Sequence, residues 1–401
     1  MHFWNQYGEA AATAVGFFWK AGWAFVLGYT VSAVIQAFVP KGRLTPYLGE
    51  PDFRSVSLAT LFGAASSSCS FAALAAARAL VMKGAHFVAA VAFMFASTNL
   101  VIELGILILI FLGWQFLVAE IIGGLILILI SSILIRLTYP RAWIRDARQA
   151  VEDSANGGDD EFDWRSRIRS AEGWNLVGHR FVSDWQMVWR EILIGFTIAG
   201  FVAVLVPPAV WETIFLIDAA ESIPDWLIAI ENAVVAPFVA AATFIGSMGN
   251  IPLATVLDGN GVLFAGIMGF IYSDLMVPPL VMINAKYYGW RVALYIAAIM
   301  LVSIVFTALL MHFAFTALGI VPESSREVGE ITRFTLDYTF YLNILFMMVA
   351  GTMVWLHRRH VKAHGEMEHA MEGDSKAKRI IALVAAGILI SGSVIKIFVS
   401  T

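Results

Sequence analysis

The groups able to do chemistry in this chain are set into apolar surroundings. Gly63-Ala64-Ala65-Ser66-Ser67-Ser68-Cys69-Ser70 places four hydroxyls and a thiol within one apolar stretch, and Gly246-Ser247-Met248-Gly249-Asn250-Ile251-Pro252 interrupts another. Polar groups in hydrocarbon are costly unless they face protein or water. Small residues also permit close helix packing, which is the competing reading of both stretches. Two glycines and a proline should loosen the second stretch as a helix and free backbone amides and carbonyls to hold a solute or ion. Ser66, Ser67, Ser68, Cys69 and Ser70 on one side, with Ser247, Met248, Gly249 and Asn250 on the other, are therefore the expected solute-binding residues.

A second group follows each stretch. Ser97, Thr98, Asn99 and Glu103 fall in an otherwise apolar run, and the i, i+4 spacing of Asn99 and Glu103 predicts that they share a helical face. The matching run holds Tyr272, Ser273 and Asp274, then Pro278-Pro279, which must distort it. Buried acids either pair or exchange protons. Glu103 and Asp274 are thus expected to carry protons, and Asn99 to contact the solute; the blander roles are an interfacial acid for Glu103 and an interhelical hydrogen bond for Asn99. Cys69 and Met248 offer soft sulfur, but one thiol cannot supply the two or three sulfurs that a soft metal or trivalent arsenical prefers. His360 and His364, at i, i+4, are weak candidates for a divalent metal, within a run of four histidines that also reads as a solvated, pH-sensitive loop. No other metal site and no cofactor are expected. Lys20, inside the first apolar stretch, should snorkel or neutralise a carboxyl.

The elements that position these groups follow from composition. Of 401 residues 59% are apolar and only 14% charged, with a mean hydropathy of +0.77. That charge cannot clothe a soluble protein of this size, so the chain reads as an all-α polytopic membrane protein, which excludes soluble enzymes and nucleic-acid binders. The net charge of −4 suggests no polyanionic partner, and one cysteine excludes a disulfide framework within the chain. Met1–Ala12 lacks the features of a removable signal peptide. Apolar stretches of spanning length fall at about 12–38, 55–82, 86–112, 115–137, 190–217, 228–258, 261–285, 291–318, 338–357 and 379–399.

Loop charge decides how these stretches cross. The basic connections 138–188 and 357–379 should be cytoplasmic, while 207–226 carries Glu212, Asp218, Glu221 and Asp225 without Lys or Arg and suits the other side. Every charge cluster is satisfied if 55–82 and 228–258 are re-entrant hairpins entering from opposite faces, leaving eight full spans and both termini outside the cytoplasm. A spacing repeat agrees. Phe93 lies nine residues after Gly84 and Phe270 nine after Gly261; Cys69 and Gly246 each precede those glycines by 15; Gly113-Trp114 and Gly289-Trp290 close the two series. The expected organisation is a first membrane repeat at 1–137, a cytoplasmic loop at 138–189, a second, inverted repeat at 190–318, and two extra C-terminal helices within 319–401. Each repeat has three spans and a hairpin, an arrangement typical of secondary transporters.

On Cys69-Ser70, Lys83-Gly84, Ala92-Phe93, Gly246, Ile251-Pro252-Leu253, Gly261, Gly266 and Pro278, the chain resembles the ArsP/YraQ-type permeases over most of 10–318. The resemblance implies a multi-pass protein of the bacterial inner membrane, in a family that includes efflux carriers for trivalent organoarsenicals. The family's Cys-Ser-Cys tip corresponds to Cys69-Ser70-Phe71, so the second thiol is missing, and prolines expected in the family stand as Ala75 and Thr98. The expectation is a secondary-active permease exporting a small solute, among them a trivalent organoarsenical or a related toxic compound, coupled to protons or to membrane potential. A gated channel or divalent-metal efflux protein using the same tips is the alternative. No nucleotide-binding loop or catalytic spacing points to an ATP-driven pump or an enzyme. The expected partners are the solute and the lipid bilayer, with no nucleic acid; association with further copies of the chain stays open.

Overall fold

The computed structural model describes residues 2–38, 48–50, 52–66, 70–82, 84–138, 168–243, 245–322, 328–364 and 376–399. All regular structure among them is helical. The first half comprises α1 (His2–Phe38), α2 (Phe53–Ser66), α3 (Ser70–Met82), α4 (Phe87–Asn99), α5 (Ile102–Phe111) and α6 (Trp114–Thr138). The second comprises α7 (Ala171–Leu205), α8 (Pro208–Ile214), α9 (Asp225–Thr243), α10 (Ser247–Gly259), α11 (Phe264–Ile271), α12 (Pro278–Tyr288) and α13 (Trp290–Leu318). The short α14 (Val328–Ile331), then α15 (Tyr338–His364) and α16 (Lys376–Val399), complete the chain.

Seven of these helices are long and apolar enough to cross a membrane, eight if the bent pair α4–α5 counts as one span. The chain is a multi-pass membrane protein. Every residue of α4 and α11 is buried, so they form the centre of each half, and apart from Ser97, Thr98 and Asn99 at the end of α4 they carry no polar side chain. α2 and α3 pack on α4, and α9 packs on α11. The halves meet where α10 packs against α5, α3 against α12 and α1 against α7, while α10 also packs on α7 within the second half. α1 packs along α7, and α15 and α16 cover that pair. α6 shows the division of labour along one helix: Ile121, Leu125, Leu129 and Ile133 are exposed at i, i+4 intervals, while Glu120, Gly124, Ile128 and Ser131 are buried.

One succession of elements occurs twice. A glycine of positive φ (Gly84, φ 99°; Gly261, φ 84°) leads into a buried helix, which breaks, resumes, and ends at another (Gly113, φ 110°; Gly289, φ 81°) before a Trp-initiated long helix. These four glycines are the anchors of the spacing repeat. Side chains rarely adopt such φ values, which accounts for glycine at each turn.

Several expectations need correction. The stretch 261–285 is not one continuous helix: α11 stops at Ile271, a 3-10 turn covers Asp274–Met276, and α12 starts on Pro278. A proline is well suited to a helix start but not to continuing one, because it has no N–H to donate. The stretch 86–112 is bent by 42° between α4 and α5. α7 begins at Ala171, with the Ser170 hydroxyl accepting from the Gly173 amide at 3.0 Å, so 171–189 is helix and not loop. α15 likewise runs through His357 and His360. Helices do not end where apolar content ends; charged residues extend them into water. In the stretch 228–258 the break falls upstream of Ser247, and α10 runs through Pro252. α9 alone, at 19 residues, has the length of a crossing helix, unlike the 14 and 13 residues of α2 and α3.

Candidate functional site

The two polar stretches converge on one carboxyl. Asp274 is wholly buried in the break between α11 and α12. The Ser70 hydroxyl, at the start of α3, donates to Asp274 Oδ2 over a long 3.5 Å. The hydroxyls of Thr98, from α4, and Ser247, from the start of α10, turn to the same carboxyl, as does the Leu275 amide. Asp274 Oδ1 has no partner within hydrogen-bonding distance. Three segments far apart in sequence thus share one acceptor.

Beside this knot lies a cavity of about 20 Å³, lined by Tyr29, Ser70, Thr98, Val101, Glu103, Val188, Glu191, Ile192, Ser247 and Met248. It has room for about one water. Two carboxyls, Glu103 and Glu191, and three hydroxyl residues of the tips and α4 meet there, with no Lys, Arg or His among the described lining residues. Such a set can accept protons or hold a small cation, and the space must widen before a larger solute enters. Glu103 stands in the first turn of α5, where a carboxyl faces the positive end of the helix. It is 1% exposed and fits against Gly28 of α1, where any side chain would collide with it. Pro252 has no N–H for the carbonyl of Met248 four residues earlier, so α10 leaves that carbonyl without its helical donor next to the cavity.

The remaining expected residues divide. Ser66 is buried and donates to the Gly63 carbonyl at 3.0 Å, within its own helix. Ser67, Ser68 and Cys69 lie outside the described residues. Gly249 lets the tip approach α7: a Cβ on Gly195 would come within 2.6 Å of its Cα. Asn250 is a brace, not a lining residue. Its Oδ1 accepts from Thr243 Oγ1 at 3.2 Å and its Nδ2 donates to the Ile245 carbonyl at 3.3 Å, holding the turn before α10.

Asn99 and Glu103 do not share a face. The chain turns at Leu100-Val101, where Val101 is extended (φ −103°, ψ 146°), so the i, i+4 argument fails between them. Glu103 joins the cavity, whereas Asn99 lines a separate groove with Glu120. The histidines also part company. His360 is buried and stacks on His179 of α7 at 4.7 Å between centroids, and His179 Nδ1 lies 3.3 Å from His357 Nδ1. Only the backbone of His364 is described, and no group of three or more His, Cys, Asp or Glu among the described residues could hold a metal. Lys20 neutralises a carboxyl: its ammonium lies 3.2 Å from Asp337 Oδ2.

The sequence of residues 6–313 matches a protein family described as "Predicted permease", ArsP_1. The chain belongs to the ArsP_1 family. That match takes in every element from α1 to most of α13, and therefore the whole site, while α15 and α16 lie beyond it. "Putative permease Rv2963" of Mycobacterium tuberculosis (strain ATCC 25618 / H37Rv) is 37% identical over 328 residues, 79% of each chain. The UPF0718 protein YraQ of Escherichia coli (strain K12) is 28% identical over 131 residues, 33% of this chain and 36% of its own. No solved structure matches. The ArsP_1 family is one of permeases, not of catalytic enzymes.

Sequence reasoning missed Glu191, Glu120 and Tyr29. Glu191 follows Arg190, and the adjacent positive charge hides it as a lone acid in the sequence. Glu120 stands alone among apolar residues of α6, and that isolation was the signal that could have found it.

Proposed function

We propose that the chain is a secondary-active permease that exports a small solute across the bacterial inner membrane, coupled to protons or to membrane potential. The observation that carries the reading is the sharing of Asp274 by Ser70 and Ser247, one from each polar tip. Supporting it are the acids that line the adjoining cavity and the twice-occurring order of elements around positive-φ glycines. In this reading the halves are inverted repeats, α2–α3 and α9–α10 are hairpins dipping from opposite faces, and the cavity is the closed form of the solute site. Loss or gain of protons on Asp274 and Glu103 changes how tightly the tips are held, which links proton movement to opening. Ser70, Ser247 and Met248 contact the solute. Met248 is the one sulfur-bearing side chain among the described lining residues, and the hydroxyls and carboxyls around it suit a polar or cationic solute better than a trivalent arsenical, which favours several thiolates.

The test starts with a resistance screen in a sensitive strain against arsenicals, divalent metals and organic solutes. Flux of the selected compound is then measured in proteoliposomes with and without a pH gradient. Flux should saturate and follow the gradient, and Asp274→Asn or Glu103→Gln should abolish the gradient dependence. Unchanged gradient-driven flux in both variants refutes the coupling role, and linear, non-saturating currents would replace the carrier with a channel.

A further inference from the structure

On the far side of the α4–α5 bend, a groove of about 410 Å³ opens between α5 and α6. Its mouth is formed by Ile102, Leu109, Ile121 and Leu125, each between 45% and 49% exposed. On a membrane-crossing helix such residues face lipid, so the groove is reached from within the bilayer. Its floor is polar: Asn99 is 2% exposed and Glu120 1%.

The floor presents acceptors only. Neither carboxyl oxygen of Glu120 has a hydrogen-bond partner, and neither does Asn99 Oδ1. The amide nitrogen of Asn99 is already engaged, donating to the Phe95 carbonyl at 3.2 Å and to Thr98 Oγ1 at 3.3 Å. Among the described residues no Lys, Arg or His lines the groove. The Tyr272 hydroxyl, which lies in electrostatic reach of Glu120, donates elsewhere, to the Ala119 carbonyl at 2.7 Å. A buried carboxyl to which no donor is bonded is unfavourable whether charged or neutral. An ammonium supplies three donors and one positive charge, which matches three unpartnered acceptors. The apolar walls suit an alkyl or aryl body, and the volume falls in the usual range for small-molecule sites, roughly 300–1,000 Å³.

We propose that the groove between α5 and α6 is a binding site for lipophilic amines, taken up laterally from the bilayer, with Glu120 as the counter-charge and Asn99 as a second acceptor. The inference stands apart from the transport reading, because an amine can bind there whether or not the chain moves a solute.

The test uses the full chain in lipid nanodiscs near pH 7, where an alkylamine is protonated, its pKa being about 10. The probe is octylamine bearing a terminal diazirine, with the matching alcohol as the uncharged control. Illumination should place adducts within 102–125, and excess unlabelled octylamine should displace them. Glu120→Gln should cut amine labelling tenfold or more and leave alcohol labelling unchanged. Ile121→Trp, a change at the lipid-facing mouth that leaves the floor intact, should suppress amine adducts even if the Glu120 variant fails to fold. Equal amine labelling in the wild type and Glu120→Gln overturns the proposal. So do amine adducts that survive Ile121→Trp, adducts no stronger for amine than for alcohol (a seat for a lipid chain), or an absence of adducts within 102–125.

Discussion

Replacing Gly195 by alanine tests the closest approach between α7 and the second tip. A Cβ there would lie 2.6 Å from Gly249 Cα, 2.8 Å from Ile245 Cγ2 and 3.0 Å from the Gly249 carbonyl oxygen. Carbon atoms rest at about 3.5–4.0 Å, so α10 must retreat by about 1 Å, and two of the three obstacles are backbone. Overpacking of this kind costs about 1–3 kcal/mol. Alanine in place of glycine in a helix returns about 0.5–1 kcal/mol, which leaves a net loss of up to about 2.5 kcal/mol. Gly387→Ala is the control, because nothing lies within 4 Å of its Cβ position. It should gain about 0.5–1 kcal/mol from helix propensity alone. Thermal unfolding followed by tryptophan fluorescence should therefore move in opposite directions for the two variants. Flux of the solute found by the resistance screen should fall by up to about 100-fold in Gly195→Ala, the scale of loss when a site is displaced by 1 Å. If Gly195→Ala melts no lower than Gly387→Ala and keeps its flux, the tip does not sit against α7 as described.

Three further outcomes are expected. With Cys69 replaced by serine, the pair Ser70→Cys and Ser247→Cys should be joined by a short bifunctional thiol reagent, whereas Ser70→Cys with Gly387→Cys should not; mass spectrometry reads the product. Partial burial disfavours the charge on Asp337, but hydrogen bonds from Lys20 and Thr339 outweigh this and hold its carboxyl below the usual carboxylate range. A depressed folded-state value means the pair's contribution is present above the unfolded pKa of about 3.9 and is lost as pH falls through the lower folded value. Lys20→Met should weaken that acid-side dependence in melting curves, the Thr339 hydrogen bonds keeping the rest, at a loss of about 0.2–1 kcal/mol at neutral pH. Asn250→Ala, which takes from the Ile245 carbonyl its side-chain donor and from the Thr243 hydroxyl one of its two acceptors, should destabilise by about 1–3 kcal/mol in the same melting experiment, with Asn250→Asp recovering part of it through its acceptor oxygen.

Much of this arrangement was legible in the residues. Apolar length marked the crossing helices, because hydrocarbon thickness fixes how many residues a helix needs. Asp274 stood out as an acid in an apolar run, and Pro278-Pro279 announced the break beside it. The break at Leu100-Val101 carried no proline or glycine, so the shared face assigned to Asn99 and Glu103 rested on a helix that does not continue. Helix ends beyond the apolar stretches were equally hidden. Residues 171–189 and 358–364 are polar enough to read as loop, yet they extend α7 and α15, since a helix needs hydrogen-bonding continuity more than hydrophobicity. His179 lies in that concealed segment, which is why its stack with His357 and His360 could not be foreseen. Glu191 was obscured by its basic neighbour, and its place at the cavity follows only from how α7 packs on α10.

Ser70, Thr98 and Ser247 face a single carboxyl, that of Asp274, together with the Leu275 amide. Changes at positions 70, 98 and 247 therefore act on a common pool of lone pairs, and their energies should be epistatic instead of summing. Relatives that lose one hydroxyl can redistribute the others, so the three positions should vary as a correlated set despite the 177 residues between first and last.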